Sequence, residues 1–234
     1  IRDRSVSRGL GDVYKRQPVY FSRKEKPSKG AYLDGRIIRY FDGKDDYEVM
    51  SVDDMHLFGN HNYENVMAAI AMTIEAGVPL NIIINVIKDF MGVEHRIEYV
   101  RDKNGVRYYN DSKGTNPDSS IKALEAMSRP TILIAGGYDK HSEFDEFIEA
   151  FDNKVKLMVL LGQTADKIEE TAVRHGFTNI IKTDSLEKAV KICAENAVSG
   201  DVVLLSPACA SWDMYDNFEQ RGKHFKECVM RLGI

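Results

Sequence analysis

An α/β fold with a parallel sheet covered on both faces is predicted for most of this chain, on two observations. Beyond residue 96, short extended apolar runs alternate strictly with segments of helical periodicity, the pattern of strands joined by crossover helices. The small and charged residues cluster where those runs end, at the carboxyl edge of such a sheet, where ligands gather.

The elements follow in order. From Val19 to about Phe58, "PVYFS", "AYLDGRIIRYF" and "YEVMSV" are short extended runs broken by Gly-Asp-Lys turns, a small meander of strands. Two helices follow, "NHNYENVMAAIAMTIEAG" and "LNIIINVIKDF". The Met91-Gly92 break after them is a domain boundary candidate, and "GVEHRIEYV" leads into a strand. Then come the strand "GVRYYND", a helix over 117 to 127, "PTILIAGG", a helix over 143 to 151, "VKLMVLLG" and a helix over 164 to 175. "NIIKTD", a helix over 185 to 198, "DVVLLSPA" and a helix over 216 to 231 complete the alternation.

With 234 residues and a net charge of −4, the chain has material for one large domain or two small ones, and its acidic balance argues against nucleic acid. No apolar run approaches the roughly 20 residues that span a bilayer, so no membrane partner is expected. Cys193, Cys209 and Cys228 show no metal spacing, and a reducing cytoplasm is the expected compartment, with a monomer as the default state. The opening "IRDRSVSRGLGDVYKRQ" has neither periodicity nor a signal-peptide core. It looks like translated adapter sequence, so residues 1–17 are expected to be a non-native tail on a truncated protein.

Chemistry concentrates in five stretches. In "NDSKGTNPDSS", Asp111 and Lys113 precede a helix start where Thr115 and Asn116 suit the cap and Pro117 the first turn, presenting free N–H groups to an anion. The alternative is a decorated turn with a solvated lysine. "IAGGYDK" repeats the logic with Lys140, and two ammonium groups on one sheet edge suit carboxylates or phosphates. In "SPACASWDMYDNFEQRG", Ser211 offers a hydroxyl to a carboxylate or caps the next helix, Cys209 is expected as a packed thiol, and Phe218 as core. Asn62 and Asn65 share a helical face that fits an adenine edge or merely caps the helix. His95 and Arg96 stand at the boundary, where a guanidinium clamps phosphate or pairs with Glu94 or Glu98.

"GNHNYENVMAAIA", "GVEHRIE", "NDSKGTN", "IAGGYDK" and "LLSPACASWDMYDNFEQRGKHF" together resemble the Mur ligase family, in order and spacing, from about residue 18 onward. The last stretch is the most specific for the branch that adds D-glutamate. The resemblance implies that residues 18–95 are the end of a central α/β ATPase domain and 96–234 a Rossmann-like, amino-acid-binding domain with a mostly parallel sheet. The implied reaction is ATP-dependent ligation of D-glutamate to UDP-N-acetylmuramoyl-L-alanine, in cytoplasmic peptidoglycan precursor synthesis, through an acyl phosphate. By the same resemblance Asn62, Asn65, His95, Arg96 and Asp111 form the ATP side, and Lys113, Thr115, Lys140, Ser211 and Phe218 position D-glutamate. No G-x-x-x-x-G-K-[ST] occurs in the sequence. The P-loop and the Mg2+ ligands are therefore expected upstream, no residue here is assigned as catalytic or metal-binding, and the chain alone is expected to be inactive. Where many members of the family read alanine, Gly114 is expected to loosen the loop without removing its charges.

Two other classes stand beside this reading. "DSKGTN" loosely resembles the loop of phosphoaspartyl phosphotransferases, with Asp111 as nucleophile, but its lysine and hydroxyl positions are transposed. A non-catalytic nucleotide-binding module is the other, weakened by the lack of a G-x-G-x-x-G after the first strand of the alternation.

Overall fold

The computed structural model describes residues 18–233; the expected non-native tail lies outside the described residues. Two compact units are present. One takes in the described residues up to His56 together with Asn62–Phe90, and the other Leu57–His61 and the chain from Met91 onward.

The amino-terminal unit carries strands β1 (Tyr20–Ser22), β2 (Gly30–Asp34), β3 (Ile37–Phe41) and β4 (Asp46–Ser51) in sequential order, then helices α1 (Asn60–Glu75) and α2 (Leu80–Asp89). The expected meander needs one correction: β1 pairs with β2 in parallel, and only β2, β3 and β4 are antiparallel neighbours. Gly30 permits this, because its φ of +134° is open to glycine and any Cβ there would strike the Tyr20 backbone. Ala31, Ile38 and Met50 from the sheet and Val66, Met67, Ile70 and Ile83 from the helices are among its buried apolar residues. The Tyr40 hydroxyl donates to Glu75 at 2.5 Å, tying β3 to α1.

The carboxyl-terminal unit is a three-layer α/β sandwich. Its strands are β5 (Glu98–Lys103), β6 (Val106–Asn110), β7 (Thr131–Ala135), β8 (Val155–Leu160), β9 (Ile180–Lys182) and β10 (Val202–Leu205), in the order β5-β6-β10-β7-β8-β9. All neighbours are parallel except β5, which forms an antiparallel hairpin with β6. Asn104 and Gly105 make that turn with φ of 56° and 78°, as a tight hairpin requires.

Within each buried strand the side chains alternate between two cores. Leu133, Met158, Leu160 and Leu204 face α3 (Pro117–Ala126), α4 (Asp145–Glu149) and α5 (Ala165–Arg174), where Leu124, Phe147 and Ile168 are buried. Ile132, Ile134, Val159, Val203 and Leu205 face α6 (Leu186–Asn196) and α7 (Phe218–Arg231), where Val190, Cys193 and Phe225 are buried. The helix expected over 143 to 151 shrinks to the five residues of α4, flanked by Phe144 and Phe151, which both sink into the core. No helix among the described residues is long and apolar enough to cross a membrane.

Candidate functional site

Topology brings the candidate residues of this unit together. β10 lies between β6 and β7, so the loops leaving the carboxyl ends of these three strands are neighbours although far apart in sequence. The loop after β6 holds Asp111, Lys113 and Thr115, that after β7 holds Lys140, and that after β10 holds Ser211 and leads to Phe218. The latter two are stitched by the Tyr138 N–H donating to the Ala210 carbonyl at 2.9 Å.

α3 starts as its sequence requires: the Asn116 side chain accepts from the Ser119 N–H at 2.9 Å and Pro117 occupies the first turn. α7 is capped by Asn217, whose side chain accepts from Gln220 N–H at 2.8 Å, so the alternative of a Ser211 cap is set aside. Ser211 is buried; its carbonyl accepts from the N–H groups of Met214 and Tyr215.

Asp111 is buried with both oxygens engaged. Oδ1 accepts from the Ile97 N–H at 3.2 Å and Oδ2 from the Ser206 hydroxyl at 2.7 Å. Burial raises its carboxyl from 3.8 to about 7, against the opposing pull of these hydrogen bonds and of Arg96 and Arg221. A buried carboxyl held in this way is a poor nucleophile, which speaks against the phosphoaspartyl reading. Gly114, expected from sequence to loosen the loop, is instead packed into it. Gly114 is buried, its N–H donates to the Asp111 carbonyl at 2.8 Å, and a Cβ would sit 2.5 Å from Asp111 Oδ2 and 3.0 Å from the hydroxyls of Ser120 and Ser206.

His95 and Ile97 adopt φ of 66° and 45°, conformations that non-glycine residues, and β-branched ones above all, avoid. Surrounding hydrogen bonds hold them. The His95 carbonyl accepts from the Lys113 N–H at 3.0 Å, and the His95 N–H donates to Glu98 at 3.0 Å. The Asn110 side-chain amide lies 2.9 Å from His95 Nδ1 and donates to Glu98 at 2.9 Å. The His95 ring is buried, which lowers its basicity, and its Nε2 has no hydrogen-bond partner.

Lys113 is half-buried with its ammonium 5.3 Å from the centre of the Phe218 ring, and the His95 ring meets the same phenyl edge-on at 6.1 Å. Phe218 is thus half-buried beside a candidate cation instead of in the core. Thr115 is half-buried next to Lys113, whose carbonyl accepts its N–H. Lys140 is exposed, 5.3 Å over the Trp212 ring. Arg96 is exposed. Asn62 and Asn65 belong to the other unit, Asn62 half-buried and Asn65 exposed. Cys209 is buried beside Thr164, and burial pushes its thiol up to about 11, the packed group expected from sequence.

Among the described residues, Glu94, His95 and Glu98 gather three ligand atoms within 4.8 Å. The Lys226 ammonium already bridges the two carboxylates, at 2.6 and 2.9 Å, and so fills the cation position. These residues do not fit Mg2+, which prefers an oxygen octahedron. Sequence reasoning missed Asn110 and Arg221, and placed Ser206 at a strand end without giving it a role; the only signal for Arg221 was its place one turn after Phe218 in "NFEQRG".

Residues 95–209 match the model of the Mur ligase glutamate ligase domain. A protein of Lachnospira eligens named UDP-N-acetylmuramoylalanine--D-glutamate ligase is 63% identical over 214 residues, covering 92% of this chain and 48% of that protein. The chain belongs to the Mur ligase family. A Clostridioides difficile relative of the same name is 49% identical over 230 residues, covering 98% of this chain and 51% of its own length. The chain therefore spans about half the length of the curated Mur ligases it matches. Among solved structures, the UDP-N-acetylmuramate-alanine ligase of Thermotoga maritima aligns with a TM-score of 0.63 at 15% identity, over 90% of this chain and 47% of that one. A pseudomurein peptide ligase of Methanothermus fervidus aligns with a TM-score of 0.65 at 14% identity, over 89% and 43%. These two establish the shared Mur ligase fold, α/β with a mostly parallel Rossmann-like sheet.

Proposed function

We propose that this chain supplies the amino-acid-binding end of an ATP-dependent ligase that joins D-glutamate to UDP-N-acetylmuramoyl-L-alanine. In this reading residues 18–95 close the ATPase domain and 96–234 bind the incoming amino acid. The observation that carries it is the half-buried Lys113 ammonium beside Phe218, at the carboxyl edge of a sheet that also presents Lys140 and Ser211. Such an edge suits an amino acid with two carboxylates, and the names of the relatives supply the identity of both substrates.

Lys113, Thr115, Lys140 and Ser211 hold the carboxylates of D-glutamate, and Phe218 walls the site. That leaves the amine free to attack an acyl phosphate formed with ATP, with the two reactants pre-oriented. Asn62 and Asn65 face adenine and the exposed Arg96 faces ribose and phosphate, while the buried Asp111 and His95 support the segment that carries Arg96. Mg2+, when bound, neutralises phosphate charge in such reactions, and its ligands are assigned to no residue described here. A reducing cytoplasm and a monomer accompany the reading.

The test is a chimera in which the Lachnospira eligens relative supplies the half that this chain does not match. ATP-dependent phosphate release should require UDP-N-acetylmuramoyl-L-alanine and prefer D- over L-glutamate. Lys113→Ala removes a charge-assisted hydrogen bond, so kcat/KM for D-glutamate should fall about 10- to 100-fold. Equal use of the two enantiomers, or unchanged kinetics in Lys113→Ala, would overturn the assignment.

A further inference from the structure

Arg221 is almost fully buried, at 2% exposure, and among the described residues no carboxylate pairs with it. A guanidinium in such a place must satisfy its N–H groups on something else, since an unpaired buried cation is strongly unfavourable. It does so on two of the site loops. Nε donates to the Ser112 hydroxyl at 3.0 Å and Nη2 to the Ser112 carbonyl at 2.9 Å. Nη1 donates to the carbonyls of Cys209 and Ala210, both at 3.2 Å, and Nη2 also reaches Cys209 O at 3.1 Å. The Ser112 hydroxyl passes the connection on, donating to the Phe218 carbonyl at 2.8 Å.

Two of the anchors adjoin a candidate ligand, Ser112 before Lys113 and Ala210 before Ser211; Cys209 stands two residues before Ser211, and the candidate Phe218 lies one turn before Arg221 on α7. The third loop closes on the same group, because a Cβ on Gly137 would lie 3.3 Å from Arg221 Nη1. We propose that Arg221 is a positioning residue which fixes the separation of Lys113 and Ser211 through the carbonyls of the two loops that carry them. It touches no substrate in this arrangement. Its planar fork matches acceptors spread around one plane, and a lysine ammonium, with three donors on a single atom, cannot span them. Burial lowers its pKa only to about 10, so the fork stays charged at neutral pH.

The inference rests on the D-glutamate reading, and its test separates the two. In the chimera, Arg221→Lys should raise KM for D-glutamate about 30-fold while KM for ATP stays within twofold. Ser112→Ala, which removes one acceptor and keeps the guanidinium, should raise it about 3- to 10-fold, and it serves if Arg221→Lys folds poorly. Hydrogen exchange on the full chain gives a readout independent of catalysis: the Lys113, Gly114 and Tyr138 amides should exchange at least 10-fold faster in Arg221→Lys, with those of Leu133 and Val159 unchanged. A working chimera whose variants keep KM for D-glutamate within twofold overturns the inference alone. So does an equal rise in KM for all three substrates with uniformly faster exchange, the mark of a merely structural residue. An unmodified chimera that does not use D-glutamate overturns the ligase reading and this inference with it.

Discussion

Asp111→Asn is expected to stabilise the folded chain by up to about 4 kcal/mol above pH 7, the gain shrinking toward zero near pH 4. The sign follows from the raised carboxyl. With a folded value of about 7 against an ordinary 3.8, the folded state holds a proton that the unfolded chain has already lost between those pH values. Folding stability therefore falls as pH rises from about 4 to about 7, and the loss is complete above that. Asparagine mimics the protonated form: its carbonyl accepts from Ile97 and its amide donates to Ser206, with no charge to desolvate. Urea denaturation from pH 4.5 to 8 measures the difference, and a constant offset across that range would contradict the origin assigned to it. If the substitution also removes ligase activity from the chimera, stability has been sacrificed at Asp111 for function.

Phe225→Ala should destabilise the chain by about 3–5 kcal/mol. The ring is fully buried on the inner face of α7, in the core that also contains Val106, Tyr108, Val203, Leu205 and Val229. A rigid sheet backs one side of that space, so the cavity left by truncation cannot easily collapse. Phe225→Leu, which keeps most of the volume, should cost less than half as much. The urea midpoint reports both changes, and equal losses in the two variants would show that cavity volume is not the cause.

The sheet of the carboxyl-terminal unit was legible in the sequence because buried strands are written as uninterrupted apolar runs, and Asn116-Pro117 marks a helix start in any context. Strand ends, and with them Lys113, Lys140 and Ser211, followed directly. What stayed hidden depends on long-range pairing. Nothing local says that "VVLL" slots between β6 and β7, or that β1 runs parallel to β2 across Gly30. The left-handed backbone at His95 and Ile97 contradicts local preference and exists only because Glu98, Asn110, Asp111 and Lys113 hold it. Gly114 read as a source of freedom, since its crowding by Ser120 and Ser206 comes from residues distant in the chain. Arg221 went unassigned for the same reason: its acceptors lie in loops that only the folded topology brings to it.

The central strand of the sheet is also the last to be made. Until residues 202–205 emerge, β6 and β7 have no shared neighbour, and the sheet exists as a hairpin on one side and a three-stranded piece on the other. Insertion of β10 is a late, long-range closure of the kind that slows folding. A ribosome stalled before this point would hold two half-sheets with open edges, vulnerable to pairing with other chains. The candidate-site loops after β6, β7 and β10 come together in the same step that closes the inner edges of β6 and β7, so this arrangement of loops exists only once the two half-sheets have joined.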